Sequence, residues 1–216
     1  MKIVVLGASG GCGQQLVQQA VAAGHDVTAV VRSKSWQAPS PKVRVVAGDV
    51  TSVAFLKEAL AGQEAVLCAL GLRLKSLAPW EKPEVADLLT RTGPALVEAM
   101  KACGVKRVLA VSAGGVGDSR TMIPGFFRVM MGLTALRHAY AELEVFERTL
   151  LSCGLEVSIC RPTGLTDGER TGQVKVVTAM KGRATISRAD VAGWMLGEVV
   201  KPSLEHRTPV ITVTGA

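Results

Sequence analysis

With 216 residues, 48% of them hydrophobic and 20% charged, the chain has length and apolar content for one sizeable core, which excludes a disordered tail. The net charge of +7 admits a phosphate-bearing partner, but the longest basic runs are pairs such as Lys106-Arg107, so no nucleic acid is expected. No stretch supplies the roughly 18 uninterrupted apolar residues of a membrane span; the longest candidate, Met122 to Leu136, is broken by Pro124, Gly125 and Arg128.

Met1-Lys2 leads straight into an apolar run over residues 2–6 that ends at Gly7, which reads as a strand and a turn rather than a secretory signal. The five cysteines, Cys12, Cys68, Cys103, Cys153 and Cys160, match no metal or disulfide framework. They read as reduced thiols, and the expected location is cytoplasmic. Residues 12–23 read as a helix with Leu16, Val17, Ala20 and Val21 on one face, closed by Gly24. Strands follow over 27–31 and 43–47. Thr51 or Ser52 can cap a short helix through Leu60, and residues 65–70 form the fourth strand.

A helix is predicted over 83–103, kinked at Pro94 or starting late because of it, and closed by Gly104. A fifth strand covers 105–111, a long helix 134–153, a sixth strand 155–160, a late helix 188–200 and a last strand 210–214. This alternation predicts an α/β fold: one Rossmann-type doubly wound parallel sheet over residues 1–216, with helices on both faces. The segments 72–82, 114–133 and 163–173 follow strand ends, where ligands of such sheets sit, and are the expected substrate-side loops.

Gly7, Gly10 and Gly13 give the spacing G-x-x-G-x-x-G between the first strand and the first helix, with Ser9, Gly11 and Cys12 filling the turn. A tight strand-to-helix turn needs glycine dihedrals, and a diphosphate must reach backbone N–H groups at the positive end of a helix. A dinucleotide is therefore the expected ligand. An NAD-preferring site places an acid about 20 residues beyond the turn. This chain has Arg32, 19 residues after Gly13, followed by Ser33 and Lys34. A guanidinium there pairs with a 2′-phosphate, so NADP(H) is preferred and NAD(H) is the alternative; a solvated basic pair is the bland reading. Asp49 either accepts from an adenine amino group, with Val50 covering the ring, or caps the next helix. Leu70 and Gly71 end the fourth strand where backbone approaches the cofactor.

The stretch Met1 to Arg32, Gly48-Asp49-Val50, Val111-Ser112-Ala113-Gly114, Ser152 through Arg161-Pro162 and Ser187-Arg188-Ala189-Asp190-Val191-Ala192 together resemble the atypical short-chain dehydrogenases. Within them the chain is similar to the NAD(P)-binding, NmrA-like group that includes biliverdin and flavin reductases. The resemblance implies that Ser112 lies near the nicotinamide and hydrogen-bonds a substrate carbonyl. It implies Arg161, Pro162 and Thr163 beside the nicotinamide amide. It implies that Arg188 and Asp190 fix the late helix against the sheet.

Standard members of that superfamily use Tyr-x-x-x-Lys. Here the only tyrosine is Tyr140, 28 residues after Ser112, and Glu144 stands where the lysine would be. A carboxylate raises a phenol's pKa, the wrong direction for a base. Tyr140 and His138 are the side chains left as candidate acids, and the proton can instead come from solvent.

Residues 122–131 hold three of seven methionines and two of four phenylalanines. They cover a pocket for a flat apolar substrate, form a dimer face or belong to the core, and Trp80 can close the same pocket. Cys12, at a helix N-terminus, is either a reactive thiol or a small residue packed under the turn. The expected protein is a monomer or homodimer that acts as an NADPH-dependent reductase of a small apolar or aromatic acceptor: a flavin, quinone, tetrapyrrole or carbonyl. The alternative is a non-catalytic NADP(H) sensor of NmrA-like type with a regulatory protein partner. An epimerase is disfavoured because the chain lacks the extra substrate domain typical of those relatives.

Overall fold

The computed structural model describes residues 1–33, 35–180 and 182–214, so Lys34 lies outside the described residues. In chain order the first half contains β1 (Lys2–Leu6), α1 (Gly11–Ala22), β2 (Asp26–Val31), β3 (Arg44–Ala47), α2 (Val53–Leu60), β4 (Ala65–Cys68), α3 (Leu88–Cys103) and β5 (Arg107–Val111). A 3-10 turn over Gly117–Met122 then leads to α4 (Gly125–Leu133), α5 (Leu136–Leu151) and β6 (Glu156–Pro162). The short strands β7 (Gly164–Thr166), β8 (Lys175–Val177) and β9 (Thr185–Ser187) precede α6 (Arg188–Val199) and β10 (Val210–Thr212).

The main sheet has the order β3-β2-β1-β4-β5-β6-β10-β8. Every neighbouring pair in it is parallel except β8 with β10. This is the doubly wound α/β architecture that the alternating strands and helices predict. Strand order reverses between β1 and β4, which opens a crevice at their carboxyl ends. Both faces are buried because side chains alternate. Ile3 and Val5 join the layer under α1 and α6; Val4 and Leu6 join the layer under α2, α3 and α5. Among the described residues no helix is long and apolar enough to cross a membrane.

Three expectations change. The helix expected from residue 83 begins at Leu88, with Pro94 inside it. Its free N–H groups are capped from α5: Glu142 accepts from the N–H of Asp87 at 3.0 Å and of Leu89 at 2.9 Å. Segment 114–133 is not a plain loop but carries the 3-10 turn and α4. Pro124 does not break α4; it stands just before the first turn, where a missing N–H does no harm. The loop read over 163–173 includes β7.

The end of that loop is tied to α6 by Asp190, which is buried. Its carboxylate accepts from the N–H groups of Thr171 and Gly172, both at 2.8 Å, and from the Ser187 hydroxyl at 2.8 Å. Ser187 in turn accepts from the Asp190 N–H and caps α6. Burial alone would raise this carboxyl's pKa, but the hydrogen bonds from Gly172, Ser187 and Thr171 outweigh it and hold it below its ordinary 3.8. The stabilisation is therefore complete above about pH 4 and is lost as pH falls through the depressed value. Asp190→Ala should lose about 3 kcal/mol near neutral pH in urea unfolding, because several buried donors lose a charged acceptor. The gap to wild type should narrow below about pH 4; a gap independent of pH would sink the assignment.

Candidate cofactor and active site

The glycine turn is dictated by contact at two of its positions. Gly7 has φ +78°, and a Cβ there would stand 2.7 Å from the Ala69 carbonyl oxygen. A Cβ on Gly13 would stand 2.1 Å from the Gly7 carbonyl oxygen, so only glycine lets α1 start so close to β1. Gly10 precedes α1, and its carbonyl accepts the first helical bond from Gln14 at 2.8 Å.

Beside this turn lies an open cleft at the reversal point between β1 and β4. Gly7, Ser9 and Gly10 form one wall. Arg32 and Val50 stand at the ends of the second and third strands, and Leu70 and Gly71 close the far side. Those seven sequence candidates are thus brought together. Val30, Val31, Ala69, Leu72, Arg73, Glu84, Val85 and Leu88 complete the lining. Arg73 had a visible signal, a cation two residues behind the strand-end Gly71; Glu84, Val85 and Leu88 reach the cleft through a loop path with no local pattern.

Gly11, Cys12, Gly13, Ser33 and Asp49 do not line the cleft. The Asp49 carboxylate accepts from the Thr51 N–H at 2.8 Å and from its hydroxyl. Those bonds, the backbone one first, hold its pKa below the ordinary value. Ser52, not Asp49, caps α2 by accepting from the Phe55 N–H. Cys12 is buried, and that burial pushes its thiol up to about 11 despite the nearby Arg188 charge. A thiol so protonated at neutral pH is a packing residue rather than a redox switch.

Ser112 follows β5 at the same carboxyl edge. Its N–H donates to the Cys160 carbonyl at 2.8 Å. The residue is 6% exposed, and its Oγ has no hydrogen-bond partner. A buried hydroxyl without a protein partner is left to bond a water or a ligand atom, and the Thr134 hydroxyl is in the same situation.

Arg161 ends β6 with its guanidinium engaged inside the protein. Its Nε donates to Glu147 Oε1 at 3.0 Å and its Nη2 to Oε2 at 2.6 Å, while Nη1 pairs with Asp118. Burial opposes this charge, yet Glu147 and Asp118 more than offset it and raise its pKa. The guanidinium is thereby turned towards α5. The Pro162 carbonyl is taken by the Gly114 N–H at 2.8 Å, and the Thr163 hydroxyl donates to Thr212. These residues brace the loop after β5 and the neighbouring strand.

Tyr140 donates its hydroxyl to the Gly114 carbonyl at 3.0 Å, and burial raises its pKa. It lines a second, open hollow with Arg120, Met131, Arg137 and Glu144. Met180 lies against Gly114, and its N–H donates to the Met122 carbonyl at 3.1 Å, a convergence with no signal in the sequence. The apolar segment is not core for the most part. Ile123 and Met131 are buried, whereas Phe126, Val129 and Leu133 face solvent at three- and four-residue spacing. Trp80 is 81% exposed and closes neither hollow.

What fits a dinucleotide is the strand-to-helix glycine turn together with the cleft beside it, which Arg32, Val50, Leu70 and Gly71 close. Residues 7–202 match the family described as NAD(P)H-binding. The chain belongs to that family. It is 28% identical over 227 residues to the uncharacterized protein YwnB of Bacillus subtilis, covering 99% of this chain and 98% of that one. Its fold matches the anaerobilin reductase ChuY of Escherichia coli O157:H7 with a TM-score of 0.79 at 22% identity, over 98% and 96% of the two chains. It also matches a short-chain dehydrogenase/reductase of Veillonella parvula solved in complex with NADP, with a TM-score of 0.79 at 17% identity over 97% and 93%. Family and fold agree with the resemblance read from the motifs.

Proposed function

We propose that the protein is an NADPH-dependent reductase of a small apolar or aromatic acceptor, working in the reducing cytoplasm. The observation that carries this reading is the unpartnered Ser112 Oγ, buried at the end of β5 on the edge where the glycine turn opens. A reduced nicotinamide bound along that edge supplies a hydride, with the balancing proton drawn from solvent. The glycine turn would hold the diphosphate, and Arg32, which lines the cleft, would pair with a 2′-phosphate. Ser112 orients the acceptor by donating to its carbonyl or ring heteroatom, and this positioning is the protein's main contribution to rate. Tyr140 braces the loop after β5: its hydroxyl proton is given to the Gly114 carbonyl, so the phenol serves this contact and the proton for the acceptor comes from solvent. The reductase named among the structural neighbours and the reductases of the resembling group support the same reading.

The test is NADPH oxidation by purified protein, followed by nicotinamide absorbance against flavins, quinones, tetrapyrroles and aromatic carbonyls. Ser112→Ala should lower turnover roughly 100-fold or more, the effect of deleting one oriented donor. NADPH affinity should stay unchanged and exceed that for NADH. Glu144 in the place of a lysine favours the second reading, an NADP(H) sensor with a protein partner. Tight NADPH binding with no turnover on any acceptor would decide for the sensor.

A further inference from the structure

Asp190 carries out the role that the resemblance implies for both polar residues at the start of α6, but Arg188 does something else. Its side chain lies across the first residue of α1: a Cβ on Gly11 would stand 2.6 Å from Arg188 Cδ and 2.7 Å from its Nε. Gly11 is thus a glycine that makes room for a side chain, unlike Gly7 and Gly13, which make room for backbone. This location brings Arg188 little stability of its own. It occupies the first turn of α6, where the helix dipole disfavours a cation. Its partner, Asp167 at 2.6 Å, is 88% exposed, and an ion pair so placed stabilises little.

The topology explains the location better. α6 precedes β10, which runs parallel to β6, so α6 begins at the carboxyl edge of the sheet, as α1 does. The two helices pack side by side. The start of α6 comes against α1 further along, where Gln19 donates to the Ala189 carbonyl at 2.9 Å, and the Arg188 side chain reaches from there to Gly11 in the glycine turn, beside the residues that line the cleft. No acid lies in the first turn of α1, and the acid in the first turn of α6, Asp190, is consumed by Thr171, Gly172 and Ser187. A planar guanidinium next to free helical N–H groups suits a diphosphate, which it grips with two parallel hydrogen bonds.

We infer that Arg188 is a cofactor ligand that exchanges Asp167 for the diphosphate of the bound dinucleotide. The inference rests on the family's dinucleotide binding and is independent of whether the protein turns over an acceptor. Equilibrium titration of reduced-cofactor fluorescence tests it without any activity assay. Arg188→Gln should weaken NADPH and NADH alike, by roughly 10- to 100-fold, with the thermal midpoint nearly unchanged. Arg188→Lys should restore only part of the loss, because an ammonium cannot make the paired contact. Wild type should prefer ADP to adenosine, and Arg188→Gln should lose most of that preference. Asp167→Asn releases the guanidinium and should tighten both cofactors.

Affinities within twofold of wild type in a folded Arg188→Gln protein would overturn the inference, as would a loss confined to NADPH, which would put the residue at the 2′-phosphate. If Arg188→Gln does not fold, Asp167→Asn decides: tighter binding upholds the exchange, and unchanged or weaker binding refutes it. Wild type that binds neither dinucleotide would instead overturn the cofactor reading itself.

Discussion

Replacing Glu147 by alanine should cost about 3–5 kcal/mol of stability, the usual price of leaving one member of a buried ion pair behind. The Glu147 and Arg161 side chains are 4% and 3% exposed, and the two groups meet fork to fork. Without Glu147 the guanidinium keeps only Asp118, whose side chain is 76% exposed and well solvated. For a chain of this length, thermal unfolding should drop by roughly 10 °C. Pairing Glu147→Leu with Arg161→Met should recover most of the loss, since apolar side chains of similar volume replace such pairs with little penalty. A single variant that melts within a degree or two of wild type would show that the pair is not the anchor it resembles. The anchor matters to the site because Asp118 lies in the 3-10 turn after β5. Arg161 holds that turn against β6, and the turn forms one side of the hollow beside Tyr140.

This pair also marks where sequence reasoning stopped. The core was legible because its signals are local: the β-branched runs of β1 and β2, the glycine that ends each of several elements, and the spacing of Leu16, Val17 and Ala20. The glycine turn was legible for the same reason, since a backbone constraint writes itself into consecutive residues. Other features depend on partners brought together by the fold. Glu147 and Arg161 are 14 residues apart on different elements, and nothing in either segment announces the other. The start of α3 at Leu88 is set by Glu142, a cap supplied from α5. The three-residue strands β7, β8 and β9 are too short to show alternation. Pro124 and Gly125 read as breakers, although the same residues suit a helix start. Arg161 ends the sixth strand, where the motif placed it, but no local pattern shows that its side chain pairs with Glu147.

Gly13→Ala should abolish measurable dinucleotide binding, a loss of about 100-fold or more, and destabilise the fold by a further 1–3 kcal/mol through overpacking. The new methyl would meet the Gly7 carbonyl oxygen at 2.1 Å and Ala8 Cα at 2.8 Å. Both are backbone atoms of the turn, so neither can rotate away, and α1 must separate from β1. Moving that helix start displaces the N–H groups that face a diphosphate and disturbs the packing of Leu16 and Val17 beneath it. Gly10→Ala separates these two effects. A Cβ at Gly10 meets the Gly7 carbonyl oxygen at 3.3 Å, and the backbone there is extended, with φ −80° and ψ 165°. Alanine suits that conformation, and the Gly7 carbonyl need yield only a few tenths of an ångström, so the melt should move far less than in Gly13→Ala. Gly10 nevertheless lines the cleft, and its methyl would stand where a diphosphate on this turn would approach the backbone, so affinity should fall much more than stability. Fluorescence titration and thermal melts on both variants check the pair. Full cofactor affinity in Gly10→Ala would place the dinucleotide elsewhere than along this turn. A wild-type melt for Gly13→Ala would mean that the close approach of α1 to β1 is not what requires glycine there.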